Sequence, residues 1–524
     1  MSLSGETDIV IIGYGMIGSV AALLAVRNRL KVAVIEIKRK DDLYIPKAGR
    51  IDAETMRIFD QLDLKQKIFE TAHPLHKNTV KDKFGNLLFD LKMTTDEEYA
   101  AQYSIFQPDI HRIIHQEVES KGKGFIQIYE NHRLEAFEQN KDRVRVIAKN
   151  IIDDSYFELN SRFIIACNGQ ESLIPAQCDL NYQYFDYSSF SLNVDTYCEE
   201  ALELSNSVVT YCNTDYPVTC ITDSAHHQRW EFKLDPDSMA LPDISDRIRI
   251  ILEKLIDKPY QLLSSYVHSY ETRILDSWQR KRIFITGDAA HVIPPYLGVG
   301  LSAGIKDVHN LIWKLTLVCE RKLTGKVLDY YQMEREANIR YLIRLNLYIQ
   351  KLFNAYWLKF ARFLLPVLPK FLINRNIRLD SGIKSGLLGK KSKLAGTVMP
   401  NFSFLIAQKQ KSIDQLTDFQ FKIISMDEDP VDLFNPDQIE YLAKAGFRFV
   451  KITDSEPRFN HRFSEIWFDK SLKYFNWSKR NKVKYLILRP DNIIFDAADS
   501  AKKIKKSVLK LKKMMPLRKH VSIV

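Results

Sequence analysis

The loop Gly13-Tyr-Gly15-Met-Ile-Gly18, set between two short apolar runs, most constrains what this chain can fold into. Before it, Asp8-Ile-Val-Ile-Ile-Gly13 reads as a buried strand; after it, Met16 to Asn28 reads as a helix and Lys31-Val-Ala-Val-Ile-Glu36 as a second, parallel strand. In such a unit Gly13 permits the tight turn, Gly15 lets a pyrophosphate approach the backbone, and Gly18 lets helix and strand pack closely. The helix amino terminus then turns its unpaired N–H groups on the phosphates. Glu36 ends the second strand 18 residues after Gly18, placed to hydrogen-bond a ribose hydroxyl. Strand, loop, helix, strand and acid together predict a dinucleotide site rather than a glycine-rich turn without ligand. Glu36 leaves FAD and NAD both open.

A second segment, about 270 residues later, belongs to the same argument. Arg282-Ile-Phe-Ile-Thr-Gly287-Asp288 reads as a strand running into a turn, followed by Pro294-Pro295-Tyr-Leu-Gly298-Val-Gly300 and a helix that begins near Leu301. Asp288 can accept a hydrogen bond from a ribityl hydroxyl. The N–H groups near Gly300 and Leu301 suit the negative charge that a reduced flavin carries near N1 and O2. A long cofactor touched at both ends explains the separation.

These residues carry a resemblance. Gly13 to Gly18, Glu36, Pro46-Lys47-Ala48 with Ile51-Asp52-Ala-Glu-Thr, Gln107-Pro108 and Gly287-Asp-Ala-Ala-His-x-x-Pro-Pro-x-x-Gly-x-Gly are similar to the single-component FAD-dependent aromatic hydroxylases, in the branch with phenol and 3-(3-hydroxyphenyl)propionate hydroxylases. It extends through Arg229-Trp-Glu-Phe232 and Arg489-Pro-Asp491. It implies an α/β chain, with a Rossmann-like FAD-binding domain interleaved with a mixed-sheet substrate domain and followed by a thioredoxin-like α/β domain. The cofactors it implies are FAD and, as co-substrate, NADPH or NADH. The reaction would add an oxygen atom from O2 to a small phenolic ring through a flavin C4a-hydroperoxide. Gln107 and the segment around Lys47 would touch FAD phosphate or ribose, Asp288 the ribityl chain, Gly298, Gly300 and Leu301 the ring end, and Pro295 both ring and substrate. The family's Cys-Asp-Gly reads Cys167-Asn168-Gly169 here, which marks Asn168 and Gly169 as the nicotinamide region and puts efficient NAD(P)H handling in question. The arginine usual after Pro46 is Lys47, with Arg50 nearby to compensate, and Ser302 stands where asparagine is common.

The expected organisation is FAD-binding parts at 1–75, 101–180 and 276–335, substrate-sheet parts at 76–100 and 181–275, a helical segment at 336–380, a linker at 381–398 and the last domain at 399–524. Within the sheet, Tyr182, Tyr184, Phe185, Tyr187, Phe190, Tyr197, Tyr211, Tyr216 and Trp230 read first as the ordinary strand preference for aromatics, with an apolar, aromatic roof over the ring as the alternative. His226 and His227 read as a solvated loop, and His291 as a residue that holds backbone near the flavin rather than as a catalyst.

The net charge of +11 does not indicate a nucleic-acid protein, because it is concentrated in residues 337–394 and 501–524 and leaves the remaining chain net acidic. In the first segment Leu345, Tyr348, Ile349, Leu352, Phe353 and Tyr356 form a helical stripe interleaved with Arg344, Lys351, Lys359 and Arg362; in the second, Ile504, Val508 and Leu511 face away from seven lysines. Both read as helices docked on the body in preference to membrane-surface helices. No apolar run reaches the ~20 residues of a membrane span. Six cysteines without C-x-x-C spacing, and histidines without metal-site spacing, suit a reducing cytoplasm and no metal. A homodimer is allowed. The alternatives to a phenol hydroxylase are a membrane-surface hydroxylase of a quinone-like lipid and a catalytically impaired FAD-binding interaction protein.

Overall fold

The computed structural model describes residues 7–518 apart from 83, 92–98, 201–205, 213–216, 223–225, 235–236, 238–243, 257, 321, 354–378, 380–381, 390–391 and 457–463. Its first layer is a sheet in the order Gln279–Arg280, Ile283–Ile285, Tyr156–Ala166, Thr7–Ile12, Val32–Ile35, Ile126–Tyr129. The four strands Ile283–Ile285 to Val32–Ile35 are parallel, with Ile12 opposite both Ile35 and Ala166. Ile9, Val10 and Ile11 are wholly buried, so both faces of the sheet are covered and the strand reads as a continuous apolar run rather than an alternating one. The helix Met16–Arg27 packs beneath it, and the helix Gly300–Cys319 lies against that helix.

A second sheet has eight strands, ordered His291–Val292, Gln261–Leu275, Tyr182–Tyr197, His227–Leu234, Val218–Thr222, Ser207–Cys212, Lys77–Asp82, Leu87–Asp90. One face carries Val194, Trp230, Phe232 and Leu234, packed on Ile248 and Leu252 of the helix Ile244–Leu255. The opposite face turns to the first layer.

The third sheet runs Lys409–Ser412, Ser403–Ile406, Glu465–Phe468, Arg448–Thr453, Lys422–Ser425, Tyr485–Leu488, Ile494–Ala498. A parallel pair joined through the helix Pro436–Lys444, then an antiparallel hairpin and the helix Ala501–Met514, form the thioredoxin-like order. This unit is fastened to the helix Gly300–Cys319 by buried ions. Arg489 donates from both Nη atoms to Glu334 at 2.8 Å and from Nη2 to Asp491 at 2.6 Å, while Lys314 donates to Glu334 at 2.9 Å. Arg57, on the helix Ala53–Gln61, makes a second tie to this unit through Asp414 at 2.8 Å.

The Ser381–Val398 segment differs from a free linker. Leu387 and Leu388 are buried, the Leu387 N–H donates to Glu334 at 2.8 Å, and the Gly389 N–H donates to the Phe495 carbonyl. Of the first basic stripe, the helix Tyr330–Phe353 buries Ile349 and Phe353 and leaves Tyr348 exposed; the Tyr356, Lys359 and Arg362 positions lie outside the described residues. In the last helix Ile504, Val508 and Leu511 are buried, as a docked helix requires. Among the described residues no helix is long and apolar enough to cross a membrane.

Candidate functional site

A cleft of about 660 Å³ runs along the carboxyl ends of the parallel strands to the second sheet. At one end Gly13 adopts φ +96°, and a methyl there would fall 2.8 Å from the Asn168 Cα. A methyl on Gly18 would fall 1.9 Å from the Gly13 carbonyl oxygen, so these two glycines close the loop on the helix. Gly15 is different: it lines the cleft and nothing lies within 4 Å of where its methyl would be. The helix it begins has no side-chain cap, which leaves its first N–H groups to the cleft. Glu36, buried, accepts from the Tyr14 N–H at 2.5 Å and the Lys38 N–H at 2.9 Å. Each oxygen keeps a free lone pair at the cleft wall.

Lys47 and Gln107 line the middle, and Gln107 Oε1 accepts from the Ala48 N–H at 2.7 Å, which leaves its amide donors available. Asn168, exposed, and Gly169 stand at the mouth. Asp288 sits in the 3₁₀ turn Gly287–Ala289, and Pro295, Gly298, Gly300 and Leu301 line the far end. The helix Gly300–Cys319 also begins without a side-chain cap. Buried ions hold that helix end in place. His291 Nε2 lies 2.7 Å from Asp307 Oδ2, which also accepts from the Gly287 N–H, while Arg335 donates to Oδ1 at 2.8 Å. His291 is thus tied to the carboxylate that holds the Gly287 backbone. Ser302 Oγ accepts from the Asp52 N–H at 3.0 Å, and Lys306 donates to Asp52 at 2.6 Å.

Three expectations need correction. Arg50 does not substitute for Lys47: it is buried under Gly298, where it donates to the Tyr296 carbonyl at 3.4 Å. The sheet face over the cleft is aromatic through Tyr266, His268 and Tyr270 rather than through the expected set, of which Tyr182, Phe185 and Tyr187 pack on the main core beside the cleft. Trp230, Phe190 and Tyr211 point to the helix Ile244–Leu255, Tyr184 and Tyr197 are exposed, and Tyr216 lies outside the described residues. The inward face carries Asn193, Glu231, Tyr266, His268 and Tyr270, with Asn193 opposite both Glu231 and Tyr266. The alternation Tyr266-Val-His268-Ser-Tyr270 is the sequence signal that marks them. Burial, then Lys47, pushes the His268 imidazole down to about 4, so it is neutral at pH 7; burial pushes the Tyr270 phenol well up. His226 and His227 are not in a solvated loop: His226 Nδ1 lies 2.9 Å from the Cys198 carbonyl and His227 Nε2 lies 3.4 Å from Asp195.

Residues 6–345 match the family described as FAD binding domain. The chain belongs to that family. Residues 396–513 match a second family, described as the HcaD C-terminal domain. A probable NADH-specific resorcinol 4-hydroxylase of Rhodococcus jostii is 26% identical over 353 residues, 64% of this chain and 63% of that protein. A 3-(3-hydroxy-phenyl)propionate/3-hydroxycinnamic acid hydroxylase of Klebsiella pneumoniae is 22% identical over 512 residues, 93% of this chain and 91% of its own length. The flavin-dependent monooxygenase PieE, solved with FAD and substrate, superposes with a TM-score of 0.80 at 14% identity, over 98% of this chain and 99% of its own. An FAD fits the cleft on its own terms: two uncapped helix ends, one at each end of the cleft, glycines without side chains where a cofactor must approach backbone, and Glu36 with acceptor capacity to spare.

Proposed function

We propose that this FAD-binding chain is a monooxygenase that uses NAD(P)H and O2 to hydroxylate a small phenolic ring. The observation that carries the reading is the continuity of the cleft, from the Gly13–Gly18 loop to the polar sheet face above Pro295 and Gly298. The pyrophosphate would lie on Gly13 to Gly15 and the helix end behind them, the adenosine ribose on Glu36, and the ribityl chain on Asp288, with Gln107 and Lys47 between. The Gly300 and Leu301 N–H groups would face the N1/O2 edge of the ring. Bound FAD supplies hydride acceptance and O2 activation; the protein supplies position and a water-poor enclosure. Tyr270 and His268 are neutral hydrogen-bonding groups at the ring end, able to orient a phenol hydroxyl without placing a second charge beside it. Pro295, buried and on the cleft wall, would lie beside the substrate. Asn168 and Gly169 at the mouth would meet the nicotinamide.

That relatives over most of the chain are named hydroxylases of hydroxylated aromatic rings supports the reading. The experiment is anaerobic mixing of the FAD-loaded protein with NADH or NADPH and a panel of phenols, followed by aerobic product analysis. Flavin reduction stimulated by one phenol, with its hydroxylated product, is expected. A bound flavin that no combination reduces would sink it.

A further inference from the structure

Two glycines of the cleft wall are seated on buried guanidinium groups. A methyl on Gly49 would fall 2.6 Å from Cδ and 3.0 Å from Nε of Arg229; one on Gly298, at φ +61°, would fall 2.7 Å from Nε and 3.0 Å from Cζ of Arg50. Both arginines are buried, at 2% and 1% exposure, so little more than glycine backbone separates each cation from the cleft. Each also holds main chain. Arg229 Nη2 donates to the Pro46 carbonyl at 2.7 Å and the Lys47 carbonyl at 2.6 Å, and Arg50 Nη2 donates to the Tyr296 carbonyl. Those carbonyls belong to the two segments, 46–49 and 295–298, that carry cleft-lining residues.

Two buried cations at such close quarters repel each other and need a counter-ion. Strand alternation supplies it, because Arg229, Glu231 and Lys233 share one face of the strand His227–Leu234. Glu231 Oε2 lies 3.7 Å from Arg50 Nη2 and 3.6 Å from Lys233 Nζ, and its Oε1 lies 3.4 Å from Arg229 Nε. Asp195 adds a second carboxylate, 3.7 Å from Arg229 Nη1. Glu231 is the acid common to all three cations, and it lines the cleft itself. The Asn193 side chain, opposite Glu231 in the ladder, donates to the Lys47 carbonyl at 3.3 Å and ties the same loop to the same row.

We propose that Glu231 is a positioning residue for the ring end of FAD: it holds Arg229 and Arg50 beneath Gly49 and Gly298, and through their bonds to the carbonyls of 46, 47 and 296 fixes the two segments that face the ring. The proposal rests on the FAD placement above and not on hydroxylation, so it is read without turnover. FAD affinity by fluorescence titration, and the visible circular dichroism of the bound flavin, are measured for Glu231→Gln, Glu231→Asp and Glu36→Gln. Glu231→Gln is expected to weaken FAD binding about tenfold, or ~1.4 kcal/mol, and to alter the visible band. Glu231→Asp, which keeps the charge, is expected to restore most of both. Glu36→Gln is expected to weaken binding with the visible band unchanged, because it acts at the adenosine end. A folded Glu231→Gln protein with wild-type affinity and band overturns the proposal; if that variant does not fold, Arg50→Lys with wild-type affinity and band overturns it. Should Glu36→Gln also leave affinity untouched, the FAD placement itself fails.

Discussion

Gly15 and Gly18 sit in one motif, three residues apart, yet replacing each by alanine should do different things. Gly15 has φ −63° and ψ −177°, a conformation open to any L-residue, and its added methyl meets no protein atom within 4 Å. The folded chain therefore tolerates Gly15→Ala at the cost of a poorer helix cap, at most ~1 kcal/mol. The methyl instead occupies the cleft where the pyrophosphate must touch backbone, and forced crowding of that kind costs about 1–3 kcal/mol. At 1.4 kcal/mol per factor of ten, the FAD dissociation constant should rise roughly 5- to 150-fold. Gly18→Ala places its methyl 1.9 Å from the Gly13 carbonyl oxygen and 2.9 Å from its carbon. No side-chain rotation relieves a contact with backbone, so this variant should lower the melting temperature of the apoprotein as well as its FAD affinity. FAD fluorescence titration and apoprotein melts of both variants separate the cases. A Gly15→Ala protein that binds FAD as tightly as wild type, or a Gly18→Ala apoprotein that melts unchanged, refutes the reasoning.

Glu334→Gln removes the carboxylate that receives Arg489 and Lys314 in a wholly buried site; a loss of ~3–5 kcal/mol in denaturant unfolding is expected, and a change below ~1 kcal/mol would show that the ions do not fasten the last domain. Stability should also fall as pH drops from about 7 to 5. Burial holds His111 and His309 down to about 4 and His115 to about 3, so below the ordinary value of 6.5 the unfolded chain takes protons that the folded chain refuses. The stabilisation is fully present above 6.5 and is lost as pH falls toward 4; a melting temperature that stays flat between pH 7.5 and 5 contradicts it. Asn168→Asp, at an exposed position, should leave the apoprotein melt unchanged and speed flavin reduction by NAD(P)H in a stopped-flow trace. An unchanged rate would show that Asn168 does not limit reduction.

The first layer is legible because each of its elements announces itself locally. Thr7–Ile12 and Val32–Ile35 are unbroken apolar runs, and of the glycines between them Gly18 is demanded by the Gly13 carbonyl five residues before it, while Gly13 answers to the distant backbone of Cys167 and Asn168. The hairpin Tyr485–Leu488 with Ile494–Ala498, turned through Asn492 at φ +58°, is local in the same sense. The segment 381–398 is the contrary case. Its glycine, serine and lysine content has the character of a linker, but Gly386 and Gly389 are small because Glu334 and Asp496 press on them, and those residues lie 52 and 107 positions away in sequence. Composition records that a position is small; it does not record which distant side chain made it so.

In the second sheet the working face is not legible from residue type. In Arg229-Trp-Glu-Phe-Lys233 the aromatic residues draw attention, and alternation alone says only that they share a face opposite the charged ones. Ordinarily the apolar face is the inner one, but here both faces are buried, and the one that Trp230 and Phe232 occupy is claimed by the helix Ile244–Leu255. The charged set is thereby turned toward the cleft, with Glu231 on its wall and Arg229 and Arg50 beneath Gly49 and Gly298. Three cations, Arg50, Arg229 and Lys233, share two carboxylates there, Glu231 and Asp195. Such a row has a net positive sign and is expensive to bury, so it persists only where each member is held by several partners at once. A flavin that gains negative charge on reduction gives that sign a use. On the proposed reading the sheet would act on the cofactor through charge and tethering, while contact with the substrate ring would fall to Pro295 and Tyr270, both on the cleft wall.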